Sequence, residues 1–244
     1  PRAYRSVSAE TYPAFAERVL QTELPAGKAA VPVFAEKNAS ALSGAADDLL
    51  LPSEAWGLDF GAEIFVVSGD VPRAVPLASA FETIRLIGMC ARWSLRERSA
   101  QTGIAAGVAD FGASIAPVLI TPDELGDHWH SGKVRLPVRI SWNGNLIGQP
   151  DAGGMLQGFA ELVSYLSQTL PVSAGTMIGG GIVADKEAGR GYGCIAEKRA
   201  AEQKVNGEAN TAYMRHGDLL KIDLLDKAGK SVFGQIDVAV VDAL

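Results

Sequence analysis

The chain is poor in the residues that most often announce chemistry. Its 244 residues include two cysteines, Cys90 and Cys194, and three histidines. So few cysteines exclude a small secreted scaffold held by disulfides, although one bridge between the two stays open. Cys90 lies in an apolar segment and reads as a small buried hydrophobe. No spacing of Cys and His matches a zinc site; the pair His128 and His130 follows the polar stretch 123–127 and reads as a solvated turn. No apolar run reaches the roughly 18 residues of a membrane helix. The opening Pro1-Arg2-Ala3-Tyr4 has no charged head followed by an apolar stretch, so no signal peptide is visible. A basic stripe is lacking too: the net charge is −6 with both signs spread along the chain, which argues against a nucleic-acid partner. A cytoplasmic protein that touches neither membrane nor nucleic acid is expected.

Apolar material is ample at 48%, enough for one sizeable core. Tyr12, Phe15, Ala16, Val19 and Leu20 share one helical face, which predicts a helix over 9–24. Short strands are predicted at 31–35 and 60–68, the latter from Ile64-Phe65-Val66-Val67, then a helix starting at Pro76, and strands at 84–94 and 116–120. Residues 103–112, rich in Gly and Ala, read as a loop. Residues 134–142 alternate, and Asn143-Gly144 is a strong hairpin signal. Further expectations are a helix at 159–170 and strands at 175–183, 219–225 and 232–241. The chain is therefore α+β and strand-rich, with an N-terminal helical segment over 1–30 and one main domain over 31–244.

Several segments, taken in order, resemble the fumarylacetoacetate hydrolase family. Phe60-Gly61-Ala62-Glu63-Ile64-Phe65 is similar to that family's Glu-x-Glu strand, and Arg92-Trp93-Ser94-Leu95-Arg96-Glu97 to its Asp-x-Ser-x-Arg-Asp. Ala116-Pro117-Val118 with Thr121-Pro122-Asp123-Glu124-Leu125, the Asn143-Gly144 hairpin, Gly175 to Val183, and His216-Gly217-Asp218 complete the series. The resemblance implies a rolled mixed β-sheet with flanking helices, a homodimer, and chemistry on small oxo acids. It also implies a Mg²⁺ or Mn²⁺ ion held by three carboxylates.

At those positions this chain departs from the family pattern. The first glutamate is Gly61 and only Glu63 remains. The aspartate is Arg92. A lid His-x-x-Glu pair is replaced by Phe15 with Glu17 nearby. The family lysine aligns with Asp110, and the substrate-binding Gly-Thr with Gly181-Ile182. One carboxylate cannot satisfy a hard ion that takes about six oxygens, and a guanidinium at the same place repels it. The expectation is that Arg92 pairs with Glu63, that the family ion is absent, and that no cofactor replaces it. Alternation of strand faces leaves the other arrangement open, with Arg92 facing away from Glu63.

Glu63, Arg92 and Asp110 are thus the candidate catalytic residues. Arg96, Phe34, Gly180, Gly181 and Ile182 are the candidate contacts to substrate, with the glycine run either cradling an anion or marking a tight strand crossing. Arg96 with Glu97 reads equally as an ion pair or a solvated turn. Three functions follow: a metal-free tautomerisation, decarboxylation or cyclisation of an oxo acid; a non-catalytic binding homologue; or a conventional Mg/Mn-dependent hydrolase. Bulky Phe15, Phe34, Phe60 and Trp93 filling the pocket would favour the second.

Overall fold

The computed structural model of the protein describes residues 5–21, 31–102 and 110–243. In chain order the strands are β1 (Ser6–Glu10), β2 (Val33–Lys37), β3 (Leu42–Ser43), β4 (Leu49–Leu51), β5 (Leu58–Ser68), β6 (Ile84–Leu95), β7 (Asp110–Ile115), β8 (Trp129–His130), β9 (Lys133–Val134), β10 (Val138–Trp142), β11 (Asn145–Gly148), β12 (Met177–Ile182), β13 (Leu219–Leu224) and β14 (Ile236–Asp242). The helices are α1 (Pro13–Phe15), running into a π-helical turn Ala16–Leu20, then α2 (Leu77–Thr83), α3 (Arg96–Thr102), α4 (Phe159–Leu166) and α5 (Ile195–Asn206). A seven-stranded sheet runs β2-β1-β12-β5-β6-β7-β3 and a five-stranded one β11-β10-β13-β14-β4. Both mix parallel and antiparallel pairs, and the fold is a strand-rich α+β arrangement with a curled half-barrel sheet.

β5 and β6 sit at the centre of the large sheet and are buried over nearly their whole length, as β-branched and aromatic runs allow. Val7, Ala9, Ala62, Ile64, Val66, Met89, Ala91 and Trp93 face a core shared with Val138, Ile140, Leu220, Ile222, Leu224, Ile236, Val238 and Val240 of the second sheet. The opposite face of the large sheet is divided. At one end Phe65, Cys90, Ala113 and Met177 form a small apolar cluster; at the other lies the polar site. Both cysteines are free and buried.

Three expectations are corrected. Residues 6–10 do not belong to a helical segment: they form β1, parallel to β12 (Ser8 beside Gly179) and antiparallel to β2, so the helix starts only at Pro13. The end of the helix expected over 9–24 lies outside the described residues. Asp110 to Gly112 are not loop but the start of β7, paired with β6. Residues 116–120 do not form a regular strand: Pro117 has no N–H to give, Ala116 and Val118 each donate one bond, to Met89 and Phe233, and only Ile120 pairs both ways, with Ile87. Helix α5, unforeseen, carries Lys198 and Arg199, whose side chains hold Thr211.

Candidate functional site

The register of β5 against β6 sets Gly61 opposite Arg92 and Glu63 opposite Cys90. Residues directly opposite share a sheet face, so Glu63 and Arg92 lie on one side. Trp93 goes to the core, where its indole N–H donates to Ser114 Oγ at 3.0 Å. Arg92 Nε donates to Glu63 Oε2 at 2.5 Å, and the side chains are 4% and 0% exposed. Glu63 Oε1 accepts the Ser8 hydroxyl and the Gly181 N–H at 2.9 Å. Arg92 Nη2 donates to Ser6 Oγ at 3.3 Å.

Burial alone would raise the Glu63 carboxyl. The Arg92 guanidinium, the Ser8 hydroxyl and the Gly181 N–H outweigh burial and hold it below the ordinary glutamate value. Burial likewise works against Arg92, and the Glu63 carboxylate holds its guanidinium protonated, above the ordinary arginine value. The pair is therefore ionised. The same environment pushes the Cys90 thiol well up, chiefly by burial, so this sulfur is no thiolate nucleophile.

The surrounding residues are shaped to this pair. A Cβ on Gly179 would stand 2.1 Å from Glu63 Oε1, so only glycine leaves room for the carboxylate. Gly181 has φ +91°, a left-handed conformation that costs glycine little and aims its N–H at Glu63. A Cβ on Gly61 would lie 2.2 Å from Ile182 Cδ1. Ile182 thus fills the space that a side chain at position 61 would need. Positions 61 and 182 are thus coupled by packing.

A cavity of about 130 Å³ opens beside the pair, lined by Ser8, Glu10, Phe15, Leu20, Lys37, Glu63, Arg92, Ser94, Arg96, Asp110, Gly181 and Ile182. Six expected residues therefore come together: Glu63, Arg92, Asp110, Arg96, Gly181 and Ile182. Asp110 also accepts the Asn38 N–H at 2.9 Å. Arg96 pairs with buried Asp59 at 2.9 Å rather than with Glu97. Asp59 in turn accepts the Ile195 and Ala196 N–H groups at the start of α5, so part of Arg96's work is to anchor that helix.

Two expected contacts fall elsewhere. Phe34 stands opposite Ala9, on the core side, and its ring stacks on Tyr165 at 6.1 Å. Gly180 points away from its two glycine neighbours: a Cβ there would meet Met155 and Phe159. Of the bulky residues considered for filling the pocket, Phe60 and Trp93 are in the core and only Phe15 reaches the cavity wall.

Ser8, Glu10 and Lys37 are the site residues that sequence reasoning missed. The signal was present: Ser6, Ser8 and Glu10 alternate with Val7 and Ala9, the pattern of a half-buried strand. Glu10 Oε1 and Arg92 Nη1 are buried without a hydrogen-bond partner, a condition that costs on the order of 1–3 kcal/mol per group and more when charged. Burial pushes the Glu10 carboxyl from 4.5 up to about 8; the Tyr12 backbone N–H opposes this and the Glu63 charge adds to it. The native state thus keeps a proton that the unfolded chain has already lost. The stability tied to this proton is whole below the ordinary value and declines as pH rises through about 8. Glu10→Gln is accordingly expected to melt above the unchanged protein at pH 8 and to show a flatter midpoint-versus-pH curve. Parallel curves for the two proteins would contradict this reading of Glu10.

The donor set does not suit the ion that the family resemblance implies. Mg²⁺ and Mn²⁺ take hard oxygen ligands. Here one carboxylate is already saturated, a guanidinium stands 2.5 Å from it, and Gly61 and Ile182 offer no side-chain oxygen. Among the described residues, no three His, Cys, Asp or Glu side chains come together in a way that could hold a metal. No helix among them is long and apolar enough to cross a membrane.

Comparison with known proteins bears on the whole fold. A 2,4-didehydro-3-deoxy-L-rhamnonate hydrolase of Sphingomonas sp. is 26% identical over 151 residues, 60% of this chain and 51% of that protein. The mitochondrial oxaloacetate tautomerase FAHD2B of Bos taurus is 24% identical over 168 residues, 67% and 51% of the two chains. This chain spans about half the length of these relatives. Among solved structures, a 5-carboxymethyl-2-hydroxymuconate delta-isomerase from Mycobacterium smegmatis superposes with a TM-score of 0.68 at 19% identity, covering 98% of this chain and 79% of that one. A 2-hydroxyhepta-2,4-diene-1,7-dioate isomerase from Mycobacterium marinum gives 0.67 at 18% identity, covering 98% and 75%. The family model for the fumarylacetoacetate (FAA) hydrolase C-terminal region matches residues 4–241. With nearly its full length so matched, the chain belongs to the fumarylacetoacetate hydrolase family.

Proposed function

We propose that this protein acts on a small 2-oxo acid by a proton transfer, a keto–enol tautomerisation, that needs no divalent ion. The observation that carries the reading is the buried Arg92–Glu63 pair at 2.5 Å, on the sheet face where the family pattern would place ion ligands. A fixed guanidinium can stabilise a developing enolate oxygen as an ion does, through preorganised positive charge in a site of low dielectric. Arg92 is suited to this because Glu63 and Ser6 hold its Nε and Nη2 while Nη1 stays unpartnered.

The cavity supports the substrate class. At about 130 Å³ it is smaller than the roughly 300–1,000 Å³ of pockets for drug-sized ligands. It suits an acid of a few carbons better than a long acylpyruvate. Lys37 and Arg92 supply positive charge for a carboxylate, and Phe15 and Ile182 supply apolar wall. Tautomerisation is preferred to decarboxylation or cyclisation because it asks only for a proton carrier and an oxyanion donor, and one relative is named an oxaloacetate tautomerase. A binding role without turnover is the second reading, favoured by the saturation of Glu63, which cannot serve as base while it holds Arg92.

Proton NMR in D₂O, with chelator present, follows exchange at C3 of pyruvate and oxaloacetate. Enzyme-dependent exchange that is indifferent to added Mn²⁺ is expected. Exchange that appears only with Mn²⁺ would restore the conventional hydrolase chemistry, and binding with no exchange would leave the non-catalytic reading.

A further inference from the structure

We infer that Glu10 carries the proton in this site and that Arg92 Nη1 receives the substrate oxygen, because these two unpartnered buried atoms belong to residues lining one cavity. The inference rests on the tautomerase reading and names the acid–base group for it. Among the described residues, three buried side-chain N or O atoms lack a partner: Glu10 Oε1, Arg92 Nη1 and Trp142 Nε1. Two of the three belong to residues that line this cavity.

The placement is set by the sheet. Alternation along β1 puts Glu10 on the face of Ser6 and Ser8. Its Oε1 lies 3.2 Å from where a Cβ on Gly181 would stand; the Gly181 N–H binds Glu63, and Glu63 binds Arg92. The proton carrier and the oxyanion donor are thereby linked through two residues, Gly181 and Glu63. The other candidates are spoken for. Glu63 holds Arg92, Ser8 and Gly181, and Asp110 holds the Asn38 N–H. The charges acting on Glu10 are those of Glu63, Lys37 and Arg96. With its carboxyl raised to about 8, Glu10 bears a proton at neutral pH and can give it up.

The step balances without any co-reactant. In the enol-to-keto direction, the Glu10 carboxyl donates its proton to C3, and the C2=C3 π electrons form the new C3–H bond. The enol O–H proton leaves to water as the C2=O bond forms, and the Glu10 carboxylate regains a proton from water. In reverse, the carboxylate takes the C3 proton while Arg92 Nη1–H stabilises the oxyanion. A positioned acid–base group of this kind contributes about 10²–10⁴-fold.

The test compares Glu10→Gln and Glu10→Asp with the unchanged protein in the C3 exchange assay. The glutamine variant is expected to lose about 100-fold or more in kcat with KM within about threefold, and the aspartate variant to recover part of that loss. A glutamine variant that exchanges at the native rate would overturn the assignment while leaving the tautomerase reading intact. No exchange by the unchanged protein would overturn both. A fall confined to KM would make Glu10 a binding group only and would also overturn it.

Discussion

Replacing Arg92 by alanine is expected to cost about 3–5 kcal/mol of folding stability. That is the range for removing one partner of a buried ion pair and leaving the other charge uncompensated. Glu63 would keep the Ser8 hydroxyl and the Gly181 N–H but lose the cation that opposes its desolvation. For a chain of this size, about 2–4 °C per kcal/mol translates the loss into a fall of roughly 6–20 °C in the thermal midpoint. The paired change Glu63→Met with Arg92→Met should recover most of it, because well-packed apolar replacements of a buried pair are often neutral or stabilising. Circular-dichroism melts of both variants separate the two accounts. If the single variant melted with the native protein, Arg92 would not be compensating a buried carboxylate.

The second large effect comes from rebuilding what the family pattern holds. Gly61→Glu alone is expected to destabilise, since its Cβ would stand 2.2 Å from Ile182 Cδ1. Combined with Ile182→Thr, which removes that methyl, and Arg92→Asp, it would place three carboxylates on neighbouring positions of β5 and β6. Hard divalent ions favour such an oxygen set. The triple variant should therefore gain Mn²⁺ binding, and the ion should raise its melting point. If the free ion stands at about 100 times Kd, the stabilisation is about 2.7 kcal/mol by mass action. A triple variant whose melting point ignores Mn²⁺ would mean that side-chain identity at these three positions is not what excludes the ion.

Much of this site was legible in the sequence because it lies on two long strands. Glu63 and Arg92 sit in segments whose apolar runs announce β5 and β6, and antiparallel pairing then decides whether they meet. The alternation that left their faces open resolves in favour of contact. Gly181, Ile182 and Asp110 were found by their place in ordered motifs. Gly180 was not separable from its neighbours in a run of three glycines, since nothing in a glycine states which face it takes. Phe34 was assigned by its apolar character, but the β1–β2 register sends it to the core side.

Glu10 was hidden by a competing period. Tyr12, Phe15, Ala16 and Val19 read as a helical face, and that reading absorbed the two-residue alternation of Ser6 to Glu10. Helix α5 escaped for a different reason. Its sequence Ile-Ala-Glu-Lys-Arg-Ala-Ala-Glu-Gln-Lys-Val-Asn is polar on most sides, so no apolar stripe reports it. What fixes it instead is distant: Asp59 on β5 takes its first N–H groups, and the Arg18–Glu197 pair at 2.5 Å ties it to the segment following α1.

The central claim is that a guanidinium stands in for a divalent cation. Calorimetric titration of the unmodified protein with Mn²⁺, after exhaustive chelation, tests it most directly. No saturable heat at millimolar ion is the result this account predicts. Stoichiometric binding at micromolar concentration would mean that Arg92 swings aside and acidic oxygens gather around an ion, and the account would be wrong.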